Sequence, residues 1–167
     1  MSAYWLVKQE PSAYSWADLE KEGETEWNGV HNALALRHLR SMAVGDLALF
    51  YHSGSERACV GLLTVVRGPV PDPHDPRGSW MVRVRAVRRL RRPIPLSEIR
   101  GDPAFGDFDL VRISRLSVMP VSPERWAHLF ALETTTAPPA RRPTARSTGR
   151  ERATARPRPS HAARRRR

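Results

Sequence analysis

The stretch from Asp46 to Val66 leaves this chain little freedom. Leu47-Ala48-Leu49-Phe50-Tyr51-His52-Ser53 and Ala58-Cys59-Val60-Gly61-Leu62-Leu63-Thr64-Val65-Val66 are two largely apolar runs separated by Gly54-Ser55-Glu56-Arg57. Gly, Ser and charge between two such runs predict a β-hairpin with a loop of about four residues. The second run is apolar on both faces, which predicts a fully covered central strand. The first changes character along its length. Side chains alternate along a strand, so Leu47 and Leu49 share a face with Tyr51 and Ser53, while Ala48 and Phe50 share the other with His52. A strand that begins aliphatic and finishes Tyr-His-Ser either frays into solvent or enters a place where polar groups are wanted.

Elements on either side can be placed from their punctuation. Tyr4-Trp5-Leu6-Val7-Lys8 predicts a short first strand, stopped by Gln9-Glu10-Pro11 because proline cannot continue a ladder. Ser15 to Gly23 reads as a helix, with Ser15 as cap, Asp18 and Glu20 at its positive end, Gly23 as its stop, and Trp16 and Leu19 as its buried edge. Glu26 to Asn32 reads as a turn-like lead into a helix over 33–42, capped by Asn32 and apolar at Leu36, Leu39 and Met42. Four prolines within 67–78 and no periodicity predict a loop. Trp80, Val82, Val84 and Ala86 alternating with Arg83 and Arg85 predict a half-buried strand, ended by Pro93 and Pro95. A one-turn helix at 96–100, a loop through 101–109 and a last strand near 116–119 follow. Ser122 and Pro123 then open a final helix whose core stripe is Trp126, Leu129 and Phe130. About five strands with short helices and no βαβ alternation give an α+β, barrel-like domain over residues 1–133.

The rest of the chain has a different composition. Thr134 to Arg167 is rich in Thr, Ala, Pro and Arg and holds no aromatic or large aliphatic residue. Such a segment buries too little surface to offset its ordering entropy, which predicts disorder. Eleven of the 28 basic and one of the 17 acidic residues lie in it, so it carries +10 of the net +11 and leaves 17 basic against 16 acidic residues before it. A solvated linker is one reading of this tail. The concentration of charge favours another: Arg141, Arg142, Arg164, Arg165, Arg166 and Arg167 bind phosphate backbones through counterion release, without sequence preference.

Several classes are excluded or disfavoured. No run approaches the ~18 apolar residues of a membrane span, and Met-Ser-Ala-Tyr-Trp lacks the regions of a signal peptide. A cytoplasmic protein, monomeric and without a membrane partner, is expected, with association to the nucleoid as an option; 26 arginines against Lys8 and Lys21 hint at a GC-rich bacterial genome. The single cysteine, Cys59, excludes an internal disulfide and a cysteine zinc site, and its place inside an apolar strand makes it a small core residue. No Gly-rich phosphate loop, metal-spaced histidine or carboxylate cluster, or Gly-x-Ser-x-Gly elbow occurs. A Cys59–His52 dyad is conceivable, yet nothing near Cys59 would activate a thiol. No enzyme, metal or cofactor is expected. His31, His38, His74 and His128 are scattered and read as surface or capping residues.

A binding pocket is better supported. Trp5 and Lys8 lie near the end of the first strand, Trp27 and Asn28 before the second helix, and Tyr51, His52 and Ser53 at the exit of the hairpin's first strand. Flat rings with donors and acceptors around them suit an extruded or single-stranded base. The competing reading makes the tryptophans ordinary core residues, and it is preferred for Trp16.

Five blocks in order weigh on that choice: Tyr4-Trp5-Leu6-Val7-Lys8-Gln9-Glu10-Pro11, Trp27-Asn28-Gly29-Val30-His31-Asn32, Gly45-Asp46 with Phe50-Tyr51-His52-Ser53, Val70-Pro71-Asp72-Pro73, and Arg115-Leu116-Ser117-Val118-Met119-Pro120. From Ala3 to Leu132 the chain resembles the EVE domain family, which includes the thymocyte nuclear proteins and belongs to the PUA-like superfamily with the YTH and ASCH domains. The resemblance implies a PUA-like mixed β-barrel flanked by short helices, with a concave pocket for a modified nucleobase in DNA or RNA. Its matching positions are Trp5, Lys8, Trp27, Asn28, Asn32, Tyr51, His52 and Ser53. The aromatics would stack, and Lys8, Asn32, His52 and Ser53 would meet base edges or phosphate. Strict alternation puts Trp5 and Lys8 on opposite faces, so both reach one pocket only if the strand twists or ends between them. The second block departs from the family's pattern: Asn28, His31 and Ala33 stand where many members have an acid, an arginine and an aromatic. A less charged, roomier pocket follows. The reading overall is a non-enzymatic reader of modified bases; a small-molecule or nucleotide-binding regulatory domain is the alternative.

Overall fold

A computed structural model describes residues 2–135. Six strands, β1 (Tyr4–Gln9), β2 (Glu24–Trp27), β3 (Leu47–His52), β4 (Ala58–Pro71), β5 (Trp80–Pro95) and β6 (Val118–Pro120), form one sheet in the order β2-β5-β4-β3-β1-β6. Helices α1 (Trp16–Glu22) and α2 (Ala33–Arg40) lie between β1 and β3 in the chain. That long connection is what parallel pairing needs, and β1 and β3 are the parallel pair; every other neighbour is antiparallel. Short helices α3 (Leu96–Arg100) and α4 (Asp109–Arg112) follow β5, and α5 (Pro123–Thr134) follows β6. Helix α2 packs on β4, β5 and β6, strands from both halves of the sheet, so the sheet curls around it. The edges β2 and β6 are not bonded to each other. The result is the expected α+β architecture of mixed strands flanked by short helices.

Local signals behave as their chemistry requires. Ser15 and Asp18 form a reciprocal capping box on α1, and Gly23 ends it at φ 78°. Asn32 caps α2 and Ser122 caps α5. The strand expected to be covered on both sides, β4, is internal and is covered on both faces over Ala58 to Gly61, with Cys59 fully buried; from Leu62 to Val66 alternate residues are only partly buried, so coverage there is one-sided. Three expectations need correction. Residues 24–27 form β2 rather than a turn, because Glu24 and Glu26 stand directly opposite Arg85 and Arg83 and pair with them. The Pro-rich stretch begins as strand: β4 runs to Pro71 against β5 through a series of register shifts. β5 continues through Pro93 to Pro95. The Leu96 N–H bonds Arg57 O at 2.8 Å on the β4 side, so the alternating prolines point their missing donors away from β4. Beyond Ala86, short β2 offers nothing on that side.

The sheet has two faces of different character. The register Trp5↔Ala48, Val7↔Phe50, Lys8↔Tyr51 places Trp5, Val7, Ala48, Phe50 and His52 on one face, and Tyr4, Leu6, Lys8, Leu49 and Tyr51 on the other. On the first, the Phe50 ring meets Trp16 and Trp27 edge-on at 5.6 and 5.3 Å. On the second, Tyr4 stacks on Trp126 of α5 at 4.5 Å. Trp16, buried as expected, lies flat against Gly61, and a Cβ there would run into the indole.

Two outcomes test this packing. Gly61→Ala should destabilise the fold by about 1–3 kcal/mol through overpacking against Trp16, read as a lower denaturation midpoint; a neutral result would show that the indole moves aside. Glu133, buried in the last turn of α5, receives Arg88 at 2.5 and 3.0 Å and the Arg91 N–H at 2.6 Å. The Arg88 guanidinium, helped by that N–H, holds the carboxyl below the usual carboxylate range against the opposing effect of burial. A depressed folded-state value stabilises above the unfolded-state pKa and is lost as pH falls through the folded one. Glu133→Gln should therefore lower the melting temperature near neutrality, with the gap to wild type closing in acid.

Candidate functional site

The eight residues expected to share one hollow are divided by the sheet. Trp5 is buried among the first face's core residues, and its Nε1–H donates to Asp46 Oδ2 at 2.9 Å. Asp46 also accepts the N–H groups of Ala3 and Ala43, each at 2.9 Å, so Trp5 belongs to a strut between β1, the end of α2 and β3. His52 serves α1. The Trp16 N–H, free at the helix start, donates to His52 Nε2 at 2.9 Å. That acceptor role puts the ring proton on Nδ1, which donates to Glu56 Oε2 at 2.7 Å. Both nitrogens are thus committed within the protein. The Asn32 carboxamide oxygen likewise takes the Leu34 and Ala35 N–H groups at 3.0 Å.

Two cavities receive the remaining five residues. One, about 330 Å³, is lined by Gln9, Tyr14, Thr25, Glu26, Trp27 and Asn28. Trp27 is placed there by the end of β2 and braced by Phe50, while exposed Asn28 starts the turn that follows. The Tyr14 hydroxyl donates to Glu22 at 2.8 Å, and burial first of all pushes its pKa up to about 12. Glu26 spends Oε1 on Arg67 and Arg83, at 2.7 and 3.0 Å, and keeps Oε2 shielded from solvent with no partner among the described residues. A buried acceptor left unpaired is costly and calls for a donor.

The second cavity, also about 330 Å³, is lined by Lys8, Tyr51, Ser53, Arg57, Arg100 and Ser114 over Leu96 and Leu110. The Lys8 ammonium donates to Ser114 O at 2.8 Å and lies 5.5 Å from the Tyr51 ring centre. Burial lowers the Lys8 pKa from its ordinary value and pushes the Tyr51 phenol up to about 12. Tyr51 and Trp27 therefore wall different hollows, and the expectation of one hollow gathering all the rings is corrected. The physical reason is strand alternation: Lys8 and Tyr51 point one way, Trp5 and Phe50 with Trp27 behind it the other. Arg141, Arg142 and Arg164 to Arg167 lie outside the described residues.

Sequence reading missed Gln9, Tyr14 and Glu26 on the first cavity and Arg57, Arg100 and Ser114 on the second. Gln9 was accessible from alternation, since it falls on the Trp5 face at the open end of β1. The others arrive from distant segments and leave no local mark. His31, one of the departures noted above, is held by Asp75 at 2.5 Å and so ties the α2 approach to the β4–β5 connection. Among the described residues no group of three or more metal-ligating side chains occurs.

The chain from 3 to 132 matches the family model described as EVE domain. It belongs to the EVE domain family. Mouse thymocyte nuclear protein 1 is 33% identical over 81% of this chain and 75% of its own length. Among solved structures, Rpa0253 from Rhodopseudomonas palustris superposes with TM-score 0.74 at 36% identity, covering 78% of this chain and 92% of that one. Human thymocyte nuclear protein 1, solved in complex with 5-methylcytosine-containing DNA, superposes with TM-score 0.72 at 30% identity over 81% of this chain and 99% of that one. An ASCH protein from Zymomonas mobilis, 12% identical, shares the fold at TM-score 0.50.

The Trp5–Asp46 strut has its own test. Asp46→Ala would orphan three buried or part-buried donors and should cost about 2–4 kcal/mol, whereas Trp5→Phe, which leaves the carboxylate two N–H partners, should cost less. Chemical denaturation of both variants reads the difference.

Proposed function

We propose that this EVE domain is a non-enzymatic reader of modified bases in nucleic acid, and that the base enters the cavity beside Trp27. The observation that carries the reading is the meeting, around one cavity, of the Trp27 indole with the Gln9 and Asn28 carboxamides and the Glu26 carboxylate. Trp27 is 4% exposed, so a base stacks on the part of its ring that lines the cavity; Asn28 presents both donors and an acceptor to a base edge, and Gln9, whose oxygen accepts the Glu10 N–H at 3.2 Å, presents its donors. The volume, about 330 Å³, falls at the small end of ligand pockets, about 300–1,000 Å³. Glu26 favours a base with an exocyclic amino group, because a carboxylate accepts from the N4 amino of cytosine. The human relative's complex with 5-methylcytosine-containing DNA supports the same class of ligand.

The Arg-rich segment after Glu133 has a different role in this reading. Its +10 charge, taken from sequence alone, concentrates the protein on phosphate backbones without regard to base. Inspection then falls to the cavity. Such a division predicts that affinity falls steeply with salt while base preference does not.

Fluorescence anisotropy with matched oligonucleotides, DNA and RNA, carrying cytosine or 5-methylcytosine tests the reading. Wild type should prefer the modified strand. Trp27→Ala should weaken binding by roughly 5–150-fold, the equivalent of the ~1–3 kcal/mol of a base–aromatic stack. Asn28 is exposed and braces nothing, so Asn28→Ala should reduce the preference with an unchanged melting temperature. Equal affinity for every base, unaltered in both variants, would overturn the proposal.

A further inference from the structure

We infer that the cavity around Lys8, on the opposite face of the sheet from the Trp27 cavity, is a second binding site, and that its ligand is a phosphate group carried by a nucleotide. The first support is the way the domain distributes its charge. On β5, Arg83, Arg85, Arg88, Arg89 and Arg92 each hold a carboxylate. Lys8, Arg57 and Arg100 line one cavity and pair with no carboxylate among the described residues. A domain with nearly balanced charge has gathered three unneutralised cations in one hollow. Two carboxylates come near without lining it: Glu10 reaches Ser53 Oγ at 3.4 Å, and Glu56 is occupied by His52.

The second support is the state of Lys8. Its side chain is half-buried, and its one hydrogen-bond partner among the described residues is Ser114 O. An ammonium has three donors, so two find no partner among those residues. Removing a cation from water without a counter-charge is unfavourable, which is why burial lowers its pKa. An incoming anion reverses that cost. The apolar floor of Leu96 and Leu110 and the Tyr51 ring keep the local dielectric low, where charge-assisted hydrogen bonds are strongest.

The third support is the way Arg57 is held. It is the one non-glycine residue with positive φ among the described residues, at 48°. Its carbonyl accepts the Leu96 N–H at 2.8 Å and its Nε donates to Gly54 O at 3.1 Å. Those bonds over-determine a sparsely populated conformation, and they leave the two terminal nitrogens of the guanidinium for a ligand. With Lys8, Arg100 and the Tyr51 hydroxyl, the donors suit the several acceptor oxygens and the negative charge of a phosphate better than a single carboxylate. The phosphate can come from a free nucleotide or from a nucleic-acid strand crossing this face.

The full chain is titrated with inorganic phosphate, deoxycytidine monophosphate, deoxycytidine, and a short unmodified oligonucleotide, by calorimetry and thermal shift at fixed ionic strength. The basic tail is present in every protein compared, so its contribution cancels. Wild type should bind the monophosphate or the oligonucleotide more tightly than deoxycytidine, and any deoxycytidine binding should be unaltered by the substitutions at this site. Arg100 is exposed and supports no other element's hydrogen bonds, so Arg100→Gln should weaken binding at least tenfold with the ligand-free melting temperature unchanged. Lys8→Met should also abolish binding while leaving the ligand-free melting temperature equal or higher, because an uncompensated charge is removed. Loss confined to the oligonucleotide assigns the phosphate to a strand; loss with the monophosphate assigns a free nucleotide. Unaltered affinity in Arg100→Gln and Lys8→Met, or no phosphate-dependent binding at all, would overturn the inference.

Discussion

The fold depends on a single buried carboxylate. Asp46 accepts the Ala3 N–H just before β1, the Trp5 indole N–H from β1 and the Ala43 N–H after α2, while its own carbonyl takes the Val65 N–H and the Thr64 hydroxyl of β4. A hairpin fixes the register of antiparallel strands, but the parallel pair β1–β3 has no turn to do so. Asp46 supplies the missing constraint, fastening the start of β1 beside the start of β3 at Leu47, whose N–H bonds Ala3 O at 3.1 Å. A slip by one residue would exchange the two faces of β1 and bury Lys8 among Phe50, Trp16 and Trp27.

That register creates two unlike hollows on the two sides of one sheet. On the Trp5 face the open end of β1 delivers Gln9 beside Trp27, and β2 delivers Glu26 with half of its carboxylate already engaged. On the Lys8 face the same strand end delivers an ammonium beside a phenol, and the loop after β3 bends back to add Arg57. One hollow offers neutral hydrogen-bonding groups and an acid; the other offers only cations and hydroxyls. A nucleotide has a base and a phosphate, and the chemistry of each hollow fits a different one of them. Between the two hollows lie the ends of β1 and β3, joined where the Ser53 N–H donates to Gln9 O at 2.9 Å.

Much of the architecture was legible because it is written in local chemistry. Ser15 with Asp18, Asn32 and Ser122 cap the helices they were expected to cap, because a short polar side chain ahead of an apolar stripe has few other uses. The covered strand around Cys59 and the stripe at Leu129 follow from periodicity alone. What escaped was governed by partners. Glu24-Thr25-Glu26 is two-thirds glutamate, a residue depleted in strands, and becomes β2 with Arg83 and Arg85 standing opposite its two acids. Pro93 and Pro95 look like terminators, yet they are harmless where no neighbouring strand needs their N–H groups. Trp5, His52 and Asn32 carry the residue types of a binding site and are occupied by Asp46, the α1 start and the α2 start respectively.

The sequence by itself determined the family, the capped helices, the central strands and the contrast between a charge-balanced stretch and an arginine-rich one, since ordered blocks, periodicity and composition are properties of neighbours along the chain. Only the tertiary structure decided which polar residues remain free to meet a ligand. Hydrogen-bond capacity is finite, and a side chain that satisfies a buried N–H or a helix end has none left to offer. Lys8 and Gln9 kept part of theirs, and alternation along β1 sent the two to opposite sides of the sheet.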